Sequence, residues 1–292
     1  MNSIPSYLDL TGKTALVTGC GSSSGIGFNC AKVLGELGAN IVITSTTDRI
    51  HTRCQDLVAL GLRVASFVAT DLADEDICLQ LVRFAHDQFG CIHILVNNAG
   101  MTSLYKGLEG SGESGDCVSM SLLAWRASHQ RNLDTTFIMT KHVLPMMMEA
   151  AWGRIINISS TTGNLYNPYL LQSHNNLFQQ KGPVMATKND VAYASAKAAM
   201  VGFTRAVALD VARKGITVNA VCPGWIATES QTSFEQQQGT GTCLKKKKHV
   251  QPSTLSCSDS DGQEWFVLGS CSHRSQPRYP RCELHNWPDD YC

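Results

Sequence analysis

Residues 13–27 read KTALVTGCGSSSGIG, and they predict how this chain folds. The apolar run Lys13–Gly19 is typical of a short buried strand, and Gly25–Gly38 carries apolar residues at helical spacing. Glycines between a strand and a helix let the backbone approach a pyrophosphate, whose charge is stabilised at the helix N-terminus. The order strand, glycine loop, helix therefore predicts a dinucleotide site, with a simple strand–helix turn as the alternative interpretation.

The same alternation continues to about residue 221. Further strands are predicted at Asn40–Ser45, Arg63–Phe67, Ile92–Asn97, Arg154–Ser159 and Ile216–Val221. Further helices are predicted at Asp48–Leu60 with Asp48 as the N-cap, at Ala73–Phe89 with acidic residues in its first turn, at Arg131–Ala150 and at Asp190–Lys214. Such alternation is typical of βαβ units, so we expect an α/β fold: one domain with a doubly wound parallel sheet of the Rossmann type. Ligands bind at the carboxyl ends of such strands.

Composition excludes several classes of protein. The 292 residues are 43% apolar, and 24 Lys+Arg balance 24 Asp+Glu, which favours a sizeable core and argues against a general nucleic-acid or membrane-surface binder. The first residues lack the pattern of a signal peptide, and no apolar run reaches the ~18 residues of a bilayer span, so we expect a cytoplasmic protein. The 12 cysteines include no CxxC pair, which predicts free thiols and no metal site.

The end of the second strand bears on cofactor choice. An acidic residue there would bind a ribose 2′-hydroxyl and repel a 2′-phosphate. Ser45, Thr46 and Thr47 occupy this place instead, which favours NADP(H) over NAD(H). Arg49 follows and is a candidate phosphate contact, although a solvated arginine at a helix start is an equal interpretation.

A second motif lies in the last predicted helix. Tyr193 and Lys197 stand four residues apart and so share a helix face. A lysine beside a phenol stabilises the phenolate and lowers a tyrosine pKa that is otherwise about 10. Such a tyrosine can act as an acid or base near neutral pH, although this spacing alone is common and mostly structural.

Taken together, the motifs resemble the short-chain dehydrogenase/reductases, close to the 3-oxoacyl-(acyl-carrier-protein) reductase branch. The matching pieces stand in family order and cover about residues 8–230: Thr18–Gly27, Asp71-Leu72, Asn97–Gly100, Asn132, Ser159-Ser160, Tyr193 with Lys197, and Cys222–Gly224 leading to Thr228.

The resemblance implies hydride transfer between a nicotinamide cofactor and a carbonyl or alcohol carbon of a small molecule. Tyr193 would give its proton to the nascent alkoxide, and Ser160 would hold the substrate oxygen. Lys197 would lower the pKa of Tyr193 and bind the nicotinamide ribose, while Asn132 would position a water that links Lys197 to solvent. Besides Tyr193 and Lys197, the implied cofactor contacts are Gly19, Gly21, Ser24, Gly25, Ile26, Gly27, Ser45, Thr46, Asp71, Leu72, Asn98, Ala99, Gly100, Pro223, Gly224, Ile226 and Thr228.

The chain departs from the family pattern in three places. The glycine loop is lengthened, since five residues separate Gly19 from Gly25. Residues 164–182 widen the gap between Ser160 and Tyr193, as a retained intron or as a real loop insertion. Residues 231–292 form an irregular tail, disordered or read out of frame, in which the family's last strand is missing. A genuine linker or localisation tail is the other interpretation of this segment.

These departures leave two functions open. The first is an NADP(H)-dependent reductase or dehydrogenase, favoured by the complete set of catalytic residues. The second is an inactive truncated product or a nucleotide-binding regulator, favoured by the insertion and the tail. The family forms homotetramers or homodimers, but the elements that build its C-terminal interface are not found here. We expect the sheet edge left by the missing strand to be open.

Overall fold

The computed structural model describes residues 4–101, 115–162, 189–224 and 226, together with the backbone of residues 257–258 and 264–268. Its sheet contains six parallel strands in the order β3-β2-β1-β4-β5-β6. This order confirms the predicted Rossmann-type sheet. The strands are β1 (Thr14–Val17), β2 (Asn40–Ser45), β3 (Val64–Val68), β4 (Ile94–Asn97), β5 (Gly153–Ile158) and β6 (Ile216–Pro223).

Helices connect these strands. They are α1 (Ile26–Glu36), α2 (Arg49–Ala59), α3 (Glu75–Phe89), α4 (Leu122–His129), α5 (Thr135–Glu149) and α6 (Val191–Asp210). The sequence predictions missed α4 and the π-helical turn Gln130–Asp134 that joins it to α5. A serine at the start of α4 was a sequence signal for this helix. The Ser121 side chain accepts a hydrogen bond from the Ala124 amide at 3.1 Å, as an N-cap does.

Alternation along each strand divides the core into two apolar layers, one on each face of the sheet. Along β1, Leu16 packs in one layer while Ala15 and Val17 pack in the other. The Leu16 layer lies against α3 and α5, and the second layer lies against α1 and α2. Buried apolar area of this kind stabilises the fold by about 25 cal/mol per Å². In a doubly wound arrangement, ligands bind at the carboxyl edge of the sheet.

Two helix starts refine the predicted caps. Asp74 caps α3, because its carboxylate accepts from the amides of Asp76 at 2.8 Å and Ile77 at 3.4 Å. Asp48 does stand at the N-cap of α2, but its side chain makes no capping hydrogen bond there. The prediction was therefore right about the position of Asp48 and wrong about its capping role, because its backbone is already helical with φ −60° and ψ −11°.

Beyond β6 the sheet continues with two short strands from the tail, β7 (Cys257–Ser258) and β8 (Glu264–Leu268). β8 pairs with β6 in the antiparallel sense, from Ala220↔Leu268 to Pro223↔Trp265. We expected the sheet edge at β6 to be open, and this expectation is corrected, because tail backbone pairs with β6 in the described residues. That the family's own last strand is missing stays a prediction. The segment 164–182 lies outside the described residues, and the predicted boundaries of domain and tail stay predictions.

The seven cysteines whose side chains the structure describes are all free thiols, as predicted. None of the helices in these ranges combines the length and the apolar composition that a bilayer crossing requires.

Candidate active site

The glycine loop is tied to the end of β4 through Thr18. Its hydroxyl accepts from the amides of Asn98 at 3.0 Å and Ala99 at 2.9 Å, and donates to the Val96 carbonyl at 3.3 Å. The Asn98 side chain donates in return to the carbonyls of Thr18 at 2.9 Å and Gly19 at 3.0 Å. The two loops that follow β1 and β4 therefore form one hydrogen-bonded unit. The sequence analysis placed Thr18 at the start of the glycine motif but did not predict the role of its side chain in this unit.

Close backbone approach explains the glycines of this unit. Gly19 has φ +74°, where a side chain is strained. A Cβ added to Gly27 would lie 2.5 Å from Asn98 Nδ2 and 2.8 Å from the Gly19 carbonyl oxygen. Helix α1 begins after Gly25 with no capping side chain and no acidic residue in its first turn. Its first amides and its positive dipole end are thus suited to an anion, so Gly19, Gly25, Ile26 and Gly27 fit the pyrophosphate cradle that the sequence predicts.

A cationic group lies beside this cradle. The Arg49 side chain donates from Nε to Thr47 Oγ1 at 3.2 Å. Its Nη2 would lie 3.6 Å from a Cβ added to Gly21, and the Ser45 Cβ would lie 3.2 Å from that same point. Arg49, Ser45 and Gly21 therefore meet where the second strand ends. Of the other predicted cofactor contacts, Thr46 and Asp71 are exposed, Ser24 lies in the glycine loop and Leu72 is buried.

Lys197 is the buried cation of the site. It is 3% exposed, and its Nζ donates to the Ile158 carbonyl at 2.8 Å. Tyr193 lies one turn earlier on α6 and is half-buried, with Lys197 Nζ 5.8 Å from its ring centroid. Burial lowers the pKa of Lys197 to about 8, although the nearby Cys222 opposes this shift. The ammonium is thus mostly charged near neutral pH and close to the tyrosine.

The π-helical turn brings Asn132 to the same place. Asn132 Oδ1 accepts from the Met101 amide at 2.8 Å, and Nδ2 donates to the carbonyls of Met101 and Ser128, both at 3.0 Å. A Cβ added to Gly100 would lie 2.9 Å from Asn132 Oδ1 and 3.2 Å from Lys197 Nζ. Asn132 and Lys197 therefore flank one glycine, where a side chain would not fit. π-Helical turns of this kind often occur at functional sites.

The two adjacent serines after β5 face different partners. Ser159 is 4% exposed, and its hydroxyl donates to the Lys197 carbonyl at 2.7 Å. Ser160 is half-buried, and its Oγ accepts from the Thr162 amide at 3.1 Å. The Ser159 hydroxyl is thus directed to the backbone of α6, and Ser160 is the more accessible of the pair.

A buried polar network supports this end of the sheet, and sequence reasoning did not anticipate it. Asn97 Nδ2 donates to Asn157 Oδ1 at 2.9 Å and to Thr140 Oγ1 at 3.1 Å. Asn157 Nδ2 donates in turn to Thr204 Oγ1 at 2.9 Å. The chain of bonds joins α5 to α6 through β4 and β5. Its signal was the presence of asparagine within otherwise apolar strands, where a buried amide requires partners.

The structure brings most of the predicted site residues to the carboxyl edge of the sheet. Ser160 follows Ser159 just after β5, Pro223 is the last residue of β6, and Gly224 and Ile226 come shortly after β6. The Thr161 amide bonds the Pro223 carbonyl at 3.0 Å, so these two strand ends are in contact. Thr228 lies outside the described residues.

Family models match most of the chain. The model described as short chain dehydrogenase matches residues 13–171, and one described as enoyl-(acyl carrier protein) reductase matches residues 179–254. This chain belongs to the short-chain dehydrogenase/reductase family. It is an NAD(P)-dependent oxidoreductase of the type that acts on CH–OH or carbonyl groups. The break between the two matches falls within residues 164–182, the segment singled out from the sequence.

Relatives in this family support the resemblance drawn from the motifs. D-beta-hydroxybutyrate dehydrogenase of Cupriavidus necator is 36% identical over 220 residues, which are 75% of this chain and 72% of the relative. The 3-oxoacyl-(acyl-carrier-protein) reductase FabG of Vibrio cholerae is 32% identical over 235 residues, covering 80% of this chain and 82% of that protein.

Solved structures agree with the fold. Actinorhodin polyketide ketoreductase with NADPH superposes with a TM-score of 0.63 at 29% identity, covering 78% of this chain and 76% of that one. A metagenomic short-chain oxidoreductase in complex with NADP gives a TM-score of 0.59 at 28% identity, covering 74% of this chain and 84% of that one.

Proposed function

We propose that this protein is an NADP(H)-dependent reductase that converts a ketone to a secondary alcohol, and runs the reverse oxidation. The observation that carries the proposal is the buried Lys197 on α6, whose Nζ lies 5.8 Å from the ring centroid of Tyr193. An ammonium close to a phenol stabilises the phenolate, and in this proposal Lys197 acts on Tyr193 in this way. The tyrosine then gives or takes a proton near neutral pH.

Each of the other site residues has a role in this proposal. The bound cofactor supplies the hydride at its nicotinamide. Ser160 donates a hydrogen bond to the substrate oxygen and orients it toward Tyr193, which protonates the alkoxide during reduction. Lys197 binds the nicotinamide ribose through the ammonium that also faces the tyrosine. Asn132 holds the loop at Met101 and positions a water through which Lys197 exchanges protons with solvent.

Arg49 supports the choice of NADP(H). Its guanidinium lies beside Gly21 and Ser45, at the strand end where a ribose 2′-phosphate would lie. No acidic side chain occupies residues 45–47, so nothing there repels that phosphate. Arginine matches phosphate oxygens with paired N–H donors, which makes it the suitable cation here.

We infer that the substrate carries its oxygen on the third carbon of an acyl chain. Two relatives are named for such compounds, a hydroxybutyrate dehydrogenase and a 3-oxoacyl reductase. Their identities to this chain are 36% and 32% over three quarters or more of its length. The shared chemistry is a carbonyl that is reduced two bonds from a carboxyl or thioester group.

The full-length chain tests this function directly. Purified protein is mixed with NADPH and with acetoacetyl-coenzyme A, acetoacetate or a plain ketone, and loss of the reduced nicotinamide absorbance is followed. NADPH oxidation that depends on a 3-oxoacyl substrate supports the proposal, and NADPH oxidation with the plain ketone alone would reject the acyl assignment. Thermal stabilisation by NADPH without turnover of any substrate would indicate a nucleotide-binding regulator instead.

Removing the Arg49 guanidinium is expected to weaken NADPH selectively. For Arg49→Ala we expect the KM for NADPH to rise roughly tenfold, equivalent to about 1.4 kcal/mol, because a charge-assisted contact with the 2′-phosphate is lost. The KM for NADH should stay within about twofold, since NADH has no phosphate at that position. Lys32→Ala removes an exposed cation from neighbouring α1 and serves as the matched control. An equal loss for both cofactors would contradict the assignment of Arg49.

A further inference from the structure

We infer that Ser159 is a positioning residue for Lys197: its hydroxyl fixes α6 against the end of β5 and thereby places the ammonium beside Tyr193. The inference rests on the proposed function, which assigns Lys197 and Tyr193 to the chemistry. Ser159 itself lies next to Ser160 in the sequence and has no role in the reaction as proposed above.

Two consecutive residues hold Lys197 at both ends. The Ser159 hydroxyl donates to the Lys197 carbonyl at 2.7 Å, and the Ile158 carbonyl accepts from Lys197 Nζ at 2.8 Å. All three residues are buried, with exposures of 4%, 6% and 3% for Ser159, Ile158 and Lys197. The main chain and the side chain of the lysine are therefore both hydrogen-bonded to the same strand end. A shift of α6 would stretch both bonds.

The bond from Ser159 is additional to the ordinary helix bonds. In an α-helix the carbonyl of residue 197 already accepts from the amide four residues later. A second donor from a different element is not needed to satisfy that carbonyl, and its effect is to fix the position of the helix relative to the strand. The same strand end is fixed on its other side, because the Ser159 amide bonds the Val221 carbonyl at 2.7 Å.

Cys222 completes the surroundings of Ser159. This thiol is 0% exposed at the end of β6, and the Ser159 side chain is close enough to affect its pKa. Burial raises the pKa of Cys222, so the thiol is neutral in the working pH range. Ser159 is thus enclosed by β5, β6 and α6.

Small displacements at this position have large consequences. A shift of about 1 Å in a catalytic group can cost about 10² in rate. Lys197 Nζ is bound to Ile158 on β5, whereas the Tyr193 ring moves with α6. If the bond from Ser159 is lost, α6 is held less firmly against β5, the average distance from this strand-bound ammonium to the phenol increases, and the pKa of Tyr193 rises. The expected signature is therefore a change in the pH dependence of turnover, which a purely structural loss would not produce.

The test uses Ser159→Ala in the full-length chain. We expect kcat to fall roughly tenfold, the KM for NADPH to stay within about twofold, and the pH midpoint for alcohol oxidation to move upward by about half a unit or more. Ser195→Ala is the matched control, because the Ser195 hydroxyl makes the same kind of bond, to the Val191 carbonyl at 2.7 Å, within the same helix. This control should leave the pH midpoint unchanged.

Two further measurements keep the inference testable. Ser159→Cys fills the same space with a weak donor and should shift the pH midpoint in the same direction, even if the alanine variant folds poorly. The pKa of Tyr193 is also measured without turnover, from the phenolate absorbance of each protein minus that of its Tyr193→Phe version. A raised pKa of Tyr193 in the Ser159 variants supports the inference even in a chain that turns over no substrate. Equal pH midpoints and equal tyrosine pKa values in the Ser159 and Ser195 variants would overturn it.

Discussion

Tyr193→Phe is expected to lower kcat by about 10³-fold while the affinity for NADPH stays within about twofold. The substitution removes one hydroxyl and keeps the ring that lies beside Lys197, 5.8 Å from its Nζ. Without that hydroxyl the nascent alkoxide has no acid of suitable pKa in contact, so the loss falls on the chemical step. Steady-state rates of NADPH oxidation and thermal stabilisation by NADPH separate the two effects.

The control for this experiment is Tyr7→Phe, since Tyr7 is 67% exposed in the N-terminal segment, far along the chain from the site. It should retain full turnover. Retention of more than about a tenth of the activity by Tyr193→Phe would reject the tyrosine as the acid, because a general acid contributes about 10²–10⁴-fold. A parallel loss of NADPH binding would instead indicate that the phenol mainly shapes the cofactor site.

Lys197→Met is expected to remove turnover and to change how stability depends on pH. Burial lowers the pKa of Lys197 to about 8 from an ordinary value of 10.5. Below about pH 8 the folded and unfolded chains are both protonated here, so the cost of burying the charge is fully present. Between these two pKa values the unfolded chain binds more protons than the folded chain, and the wild-type free energy of unfolding rises with pH.

The size of this effect follows from the shift. Relative to Lys197→Met, the wild type should gain about 2 kcal/mol in free energy of unfolding between about pH 7 and about pH 9.5. Denaturant unfolding of both proteins at the two pH values measures it. The exposed lysine at 214 offers the control, since Lys214→Met should show no such pH-dependent difference. If the difference in free energy of unfolding between wild type and Lys197→Met does not vary with pH, Lys197 is not a buried lysine with a lowered pKa.

Local patterns were sufficient for the fold of the catalytic domain. The run at residues 13–27 and the repeated strand–helix alternation predict the parallel sheet, because side-chain period and turn glycines depend on neighbours in sequence. The same holds for Tyr193 and Lys197, whose four-residue spacing places them on one helix face wherever the helix lies. Local patterns did not predict helix α4, because it is short, or the π-helical turn, because it has no distinctive period.

The contacts that bring these residues together into a site could not be predicted from their spacing in the sequence. Gly100 meets Asn132 and Lys197, and Thr18 meets Asn98 and Ala99, across 80 or so positions of sequence in the second case. The choice between Ser159 and Ser160 was similar. The family pattern favoured the second serine, and the structure adds that the first donates to the backbone of α6.

The sequence by itself determined the order of the elements and the position of the glycine loop, because each depends on residues close together in the chain, and its motifs predicted which side chains react. Tertiary structure decided the electrostatics. Lys197 has a lowered pKa because packing between α6 and β5 buries it, although Cys222 opposes the shift, and Arg49 lies beside Gly21 only because β1 and β2 are neighbours in the sheet. The free energy of a charge depends on the solvent and groups around it, and those are set by packing between distant segments.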